Sequence, residues 1–341
     1  NLRAALQTAF SETNLPDGAI RLGWNTINPL DWDGGNNWGP NQPRDCSEFR
    51  TAGPACGPQG NMLRPLTAAH RANFLQWVGS GQNSQTNTSR TTNGLQGFGN
   101  TRTLHATNIN SPWAEVPGSR AGEYLTCRKS YVMLLTDGDY NRYDAAGILT
   151  NGSADLDSQE QTLGDGITKY DPTLPYANIY KQTQTTSHSK SNRLEQSVAF
   201  NNNFNTISDL AFHYWAKDAD GNSSNNNVAE LWRVTTDENG IDKFWNPKNN
   251  PATWQHVSTY TVGYGATAAG WGTSPKLAAT ETLHDSEDLK RLMLGTSLPS
   301  AQRLSWPSQT YTTVRVQQEM MHAALNGRGK FYPARTQQDL V

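Results

Sequence analysis

Asp137 and Asp139 stand on either side of Gly138, directly after the apolar run Tyr131-Val-Met-Leu-Leu135 and Thr136. A carboxylate beside a glycine turn can meet a hard cation directly or through water, because Mg²⁺ and Ca²⁺ take oxygen ligands. In open α/β sheets, ligands bind in the crevice outside the carboxyl ends of the strands. Asp137 therefore has two readings: a cation ligand, or the first residue of an ordinary turn, which Asp-Gly starts very often. Enzymatic chemistry has less support. No G-x-S-x-G elbow, H-E-x-x-H pair, phosphate-binding loop or dinucleotide fingerprint occurs in a suitable context, and the histidines are scattered.

Three cysteines add a second kind of chemistry. Cys46 and Cys56 lie in a Gly/Pro-rich loop, where a bridge would staple a segment with few apolar residues to hold it. Such a bridge contributes about 2 to 4 kcal/mol by restricting the unfolded chain, and it favours an oxidising compartment. Cys127 is left over, either free or paired outside the chain. No C-x-x-C or Cys/His cluster at zinc-ligand spacing is present.

The elements that must position Asp137 follow from periodicity. Tyr131 to Leu135 is a strand-length run of β-formers, and a continuous apolar strand predicts burial on both faces of a parallel sheet. Leu2, Ala5, Leu6, Ala9 and Phe10 predict an amphipathic helix over 2–11, ended by Pro16-Asp-Gly18. Ala19 to Trp24 reads as a strand, and Leu66, Ala69, Phe74, Trp77 and Val78 as a second helix within 62–78. His70, beside that helix, is read as a satisfied histidine rather than a ligand. Residues 79–100 are a Gly/Ser/Asn/Thr/Gln tract read as an exposed loop, with a short helix after Gly99 through Thr107.

Residues 142–200 show no sustained period and are too long for an ordinary connection, so a surface insertion with small strands of its own is expected. Thr206-Ile-Ser-Asp209 has the form of a capping box, and Ile207, Leu210, Ala211, Tyr214 and Trp215 predict a helix over 207–217. Asp218-Ala-Asp-Gly221 breaks it; the string lacks the glycine and closing glutamate positions of an EF-hand and reads as a turn. Trp254 to Gly263 is a further strand of the parallel sheet. Met320, Met321, Ala324 and Leu325 mark a last helix stopped by Asn326-Gly327, with a short strand at Lys330-Phe-Tyr332. Helices alternating with strands argue an α/β fold.

Composition sets outer bounds. The chain of 341 residues can bury a large core. A net charge of −2 and a pI near 6.4 argue against a nucleic-acid surface, and no basic stripe is present. Only 17% of residues are charged, while polar uncharged residues and tryptophan are frequent, the look of a secreted or cell-surface protein. No apolar run is long enough to span a bilayer, and no signal peptide opens at Asn1, which leaves a cytosolic chain or one whose leader has been removed. The loop tryptophans Trp32, Trp38, Trp113 and Trp271 are expected to divide between packing and contact surface.

Four motifs in order carry a family resemblance. Cys127-Arg-Lys with the apolar run and Thr136-Asp-Gly-Asp-Tyr-Asn141, then Ile207-Ser-Asp-Leu-Ala-Phe-His-Tyr-Trp215, Trp254-Gln-His-Val-Ser-Thr-Tyr-Thr-Val-Gly263 and His322-Ala-Ala-Leu-Asn-Gly-Arg-Gly-Lys-Phe-Tyr332 resemble the PilY-type proteins of bacterial type IV pili. Over nearly all of its length the chain resembles their amino-terminal von Willebrand factor A-like domain. The resemblance implies a single domain over 1–341, with insertions at about 28–62, 79–100 and 142–205. The implied fold is a doubly wound, mostly parallel, Rossmann-like sheet with an adhesion site for a divalent cation at its carboxyl edge.

In that site the resemblance makes Asp137 a metal ligand and Thr101 the candidate for the hydroxyl ligand, with Thr103 as the alternative; Asp139 could add a second carboxylate. The family's Asp-x-Ser-x-Ser motif is nowhere in this sequence, since Asp45-Cys-Ser47 follows no apolar strand and lacks the second serine. The chain as given is thus expected to start inside the domain, without its first strand, and to bind Mg²⁺ or Ca²⁺ weakly. The implied role is adhesion and pilus assembly or retraction at a pilus tip outside the cell, reached through the periplasm. Its implied partners are minor pilins, other tip subunits, or a surface or host ligand. The resemblance implies that the family's carboxyl-terminal propeller lies outside this chain. Two readings compete: a metal-independent structural subunit of a surface filament and, with less support, a hydrolytic enzyme.

Overall fold

The computed structural model describes residues 2–23, 64–79, 127, 129–136, 156–181, 207–219, 224, 226–238, 240–264, 287–306 and 313–334. Its centre is a parallel sheet of β3 (Ser130–Thr136), β6 (Val257–Tyr264) and β7 (Arg328–Ala334), with β6 in the middle. Ser130 pairs with Val257 and Thr136 with Gly263 along an unbroken register; β7 joins with an irregularity between Thr259 and Thr261. All three strands overlap the runs that the sequence predicts, with β6 starting at Val257 rather than Trp254 and β7 reaching beyond 330–332 at both ends. The chain is α/β, consistent with a Rossmann-like arrangement.

Helices α3 (Ile207–Ala216) and α5 (Thr313–Asn326) pack on each other and on β6. Every residue of α3 except His213 is buried, because the helix is apolar on nearly all sides and lies in the middle of the core. The two crossovers, β3 to β6 and β6 to β7, step the same way across the sheet. Parallel crossovers are right-handed, so both place their helices on one face.

This corrects the expectation of a strand buried on both faces. Val132 and Leu134 are 2% and 6% exposed toward the helices, whereas Tyr131 and Met133 on the other face are 57% and 52% exposed. On that second face Tyr131, Tyr260 and Tyr332 form a row across the three strands, with ring centroids 5.8 and 6.5 Å apart.

Residues 156–181 contain the small strands expected of them, β4 (Gln161–Thr162) and β5 (Lys169–Tyr170), paired antiparallel. Asp165 braces the turn between them by accepting from the N–H groups of Ile167 and Thr168. The expected surface position does not hold for this segment. Tyr170, Ala177, Ile179 and Tyr180 are buried in the main core, where Tyr170 packs on Phe212 and Trp245. Large aromatic rings brought inward by turns fill a core without any sequence period.

A helix that the periodicity did not single out, α4 (Glu287–Leu294), buries Leu289, Leu292 and Met293 and packs on the 3-10 turn Pro175–Ile179. The loop preceding β6 is organised by the buried Asn249 side chain. It accepts from the N–H groups of Arg233 and Val234 and donates to the carbonyls of Val234 and Lys243.

A smaller cluster joins α1 (Leu2–Ala9) and α2 (Ala68–Gly79) through Phe10, Phe74 and Val78. The strand expected over Ala19 to Trp24 is reduced to β1 (Arg21–Leu22), paired antiparallel with β2 (Arg64–Pro65). Asp17 caps α2 by accepting from Ala68 N–H and pairs with Arg71 at 2.7 Å, which lowers its carboxyl pKa. His70 is the satisfied histidine expected: it is buried, with Nε2 2.8 Å from the Leu22 carbonyl oxygen. Among the described residues no helix is long and apolar enough to cross a membrane.

Candidate functional site

The three parallel strands end level with one another. Thr136 is the partner of Gly263, and Gly263 of Pro333, so the carboxyl edge of the sheet is one short row. Gly263, Pro333 and Ala334 bring no side-chain oxygen to this edge. Any cation ligands there must come from the loops that follow the strands or approach them. Asp137, the next residue after Thr136, lies outside the described residues, as do Thr101 and Asp139. The same holds for Cys46 and Cys56, for Thr103 and for Trp32, Trp38, Trp113 and Trp271. Among the described residues no group of three or more His, Cys, Asp or Glu side chains could hold a metal ion. Cys127, just before β3, is exposed and outside any disulfide.

Beneath the sheet's helical face lies a polar cluster that the sequence reading did not single out. His322 and Asn326 sit one turn apart on α5 and are both buried. His322 Nε2 is 2.6 Å from the Tyr180 carbonyl oxygen, and Asn326 Nδ2 lies within 3.1 Å of the Tyr180 carbonyl, Asp157 Oδ2 and the Ser208 carbonyl. Glu319 Oε1 accepts from both the N–H and the hydroxyl of Ser208. Asp209 Oδ1 accepts from Asp157 N–H, so the aspartate expected to close a capping box serves a tertiary contact; Thr206 lies outside the described residues. The Trp306 indole stacks on the His322 ring at 4.3 Å.

The cluster contains serine, histidine and aspartate, but not as a nucleophile and its base. The Ser208 hydroxyl donates to Glu319, and His322 spends its Nε2 proton on a main-chain carbonyl. Burial pushes the imidazole down to about 4, so His322 is neutral near pH 7. These groups tie α3, α5 and the 156–181 segment together. Asn326→Ala should cost about 2 kcal/mol or more, because it withdraws two N–H donors shared among three buried oxygens. Urea unfolding measures it, and a loss below about 0.5 kcal/mol would mean that water replaces the amide.

A signal for this cluster was present in the sequence. His322 and Asn326 are polar residues four apart, inside the helix marked by Met321, Ala324 and Leu325. Their partners, a carbonyl at Tyr180 and a carboxylate at Asp157, carry no such signal.

The chain is similar to type IV pilus biogenesis factors. It is 32% identical over 286 residues to Type IV pilus biogenesis factor PilY1 of Pseudomonas aeruginosa strain PAK, a match covering 82% of this chain and 20% of that protein. To the protein of the same name from strain PAO1 it is 29% identical over 340 residues, covering 99% of this chain and 24% of the relative. That of strain UCBPP-PA14 is 28% identical over 288 residues. The chain thus spans between a fifth and a quarter of the length of these curated relatives. No family model matches the chain, and no solved structure matches it. The relatives carry the name to which the four motifs point.

Proposed function

We propose that this chain is the von Willebrand factor A-like part of a type IV pilus biogenesis and adhesion protein, and that the carboxyl edge of its parallel sheet receives a partner through a divalent cation. The observation that carries the reading is the level ending of β3, β6 and β7, with Asp137-Gly138 next in the chain after Thr136. Similarity to the PilY1 proteins over most of the chain supports the pilus role. The role is binding rather than turnover. It is exercised outside the cell at a pilus tip, with minor pilins or other tip subunits on one side and a surface or host ligand on the other. A Cys46 to Cys56 bridge suits export through an oxidising compartment, and non-reducing mass mapping that finds both thiols free would remove it.

Ligand arithmetic sets the expected affinity. Asp137 and Asp139 supply two carboxylates and Thr101 a hydroxyl, while Mg²⁺ wants octahedral geometry and Ca²⁺ takes six to eight oxygens. This chain alone should therefore bind either ion weakly. A longer form carrying an Asp-x-Ser-x-Ser segment should bind more tightly, and Asp137→Ala should remove the gain. Calorimetry with Mg²⁺ and Ca²⁺ on these proteins tests it. Tight binding that survives Asp137→Ala would place the cation elsewhere, and partner binding unchanged by a chelator would favour the metal-independent filament subunit.

A further inference from the structure

We propose that His322 and Asn326 form an acid-released latch that holds the 156–181 segment against α5. The geometry of the segment carries this. Its first described turn is held through Asp157 and its last through the Tyr180 carbonyl, and both fastenings end on α5: Asp157 on Asn326, the Tyr180 carbonyl on Asn326 and His322. Between them the Tyr170 hydroxyl donates to the Asp157 carbonyl, so the β4–β5 hairpin hangs from the same point. Opening the α5 face therefore loosens both ends together, while the Asp157 N–H keeps its bond to Asp209 of α3.

His322 can act as the release because of where a second proton would go. Nε2 already carries the proton donated to Tyr180, so protonation falls on Nδ1, a buried atom with no hydrogen-bond partner among the described residues. The groups around the ring oppose one another. Asp157 Oδ2 lies 3.9 Å from Nε2 and Glu319 lies on α5 itself, both favouring an imidazolium. Asp209 on α3 adds a carboxylate one hydrogen bond behind Asp157. Arg328 of β7, stacked on the Tyr180 ring, opposes the charge, while the Tyr180 hydroxyl is engaged with the Trp245 carbonyl. Burial outweighs the carboxylates and holds the ring near 4.

The sign follows from linkage. A base whose folded pKa is depressed contributes fully above its unfolded value of about 6.5, and that contribution is lost as pH falls from about 6.5 to about 4. Water admitted between the segment and α5 solvates the imidazolium without dismantling the sheet. Between pH 7 and pH 5, opening should become roughly twentyfold more favourable if His322 regains its ordinary pKa in the open state.

Hydrogen–deuterium exchange on the whole chain at pH 7 and pH 5, corrected for intrinsic exchange, tests the latch. The ratio of protection at the two pH values is read within each variant. Wild type should lose about twentyfold in 161–181 and 320–326 beyond any change in 257–264. His322→Gln should abolish that extra loss, while His213→Gln, which removes another histidine held near 4, should leave it in place. An equal loss in all segments, or an extra loss that persists in His322→Gln, would overturn the proposal. If His322→Gln does not fold, the wild-type imidazole followed by NMR decides: titration near 4 supports the latch, and titration near 6.5 ends it.

Discussion

Gly329→Ala should be among the most damaging single-methyl changes in the described fold, costing about 4 kcal/mol or more. A Cβ at position 329 would overlap the Thr259 carbonyl oxygen and lie 2.6 Å from its carbon and 3.2 Å from Tyr260 N. Those atoms are main chain of β6, the central strand, and cannot rotate away as a side-chain end can. Relief requires β7 to move off β6, and that movement would spoil the pairing from Thr261 with Phe331 to Tyr264 with Ala334. Gly240 supplies the control. Its φ is +78°, but a Cβ there meets nothing within 4 Å, so Gly240→Ala should cost only about 1 kcal/mol, from the left-handed backbone alone. Urea unfolding of both variants measures the difference. Equal losses would mean that close approach of the two strands does not govern this part of the sheet.

Strands β3 and β6 were legible because each is a run of β-formers with a turn signal after it, as at Thr136-Asp-Gly138, while β7 showed only through Phe331-Tyr332 after the Asn326-Gly327 stop. Helix α3 was legible for the matching reason: its apolar residues repeat at helical spacing over the whole element. Burial on one face of β3 was not legible. It depends on the direction in which the crossovers step, a property of topology that no local window contains. The 156–181 segment hid its core role because Tyr170, Tyr176 and Tyr180 come inward from a strand and turns with no common period. In α4 the eight-residue length left only Leu289, Leu292, Met293 and Leu294 to signal it. For the candidate cation site, Asp137 could be placed by sequence at the end of β3, while the distances that would make it a ligand belong to loops outside the described residues.

The second large effect is expected at Arg328, in the same Gly-Arg-Gly stretch. Its guanidinium is buried with its carbon 4.3 Å from the Trp215 ring centroid, 4.7 Å from Tyr180 and 5.9 Å from Trp245, and Nη1 donates to the Asn246 carbonyl. Burial lowers its pKa, and the Tyr180 and Tyr170 hydroxyls act against that shift. Two descriptions of this contact predict different mutant series. If the planar group matters as filling for the aromatic box, Arg328→Ala should cost about 3 to 5 kcal/mol, by analogy with other large-to-small core changes. Arg328→Met, which keeps much of the volume and removes a desolvated charge, should then recover at least half of that loss. Arg328→Lys should recover less, because an ammonium is strongly hydrated and presents no flat face to stack. If the positive charge over the rings dominates instead, the order reverses and Lys outperforms Met. All three replacements share the positive φ of 55° at this position, so backbone strain cancels from the comparison. The packing description is favoured, because Nε and Nη2 are buried with no hydrogen-bond partner among the described residues, and the groups that favour the charge are neutral ones, the Asn246 carbonyl and the Tyr180 hydroxyl. Urea unfolding at low and at 1 M salt should give Ala as the worst and Met as the best of the three. Salt should change the order little, since the contact is closed to solvent ions.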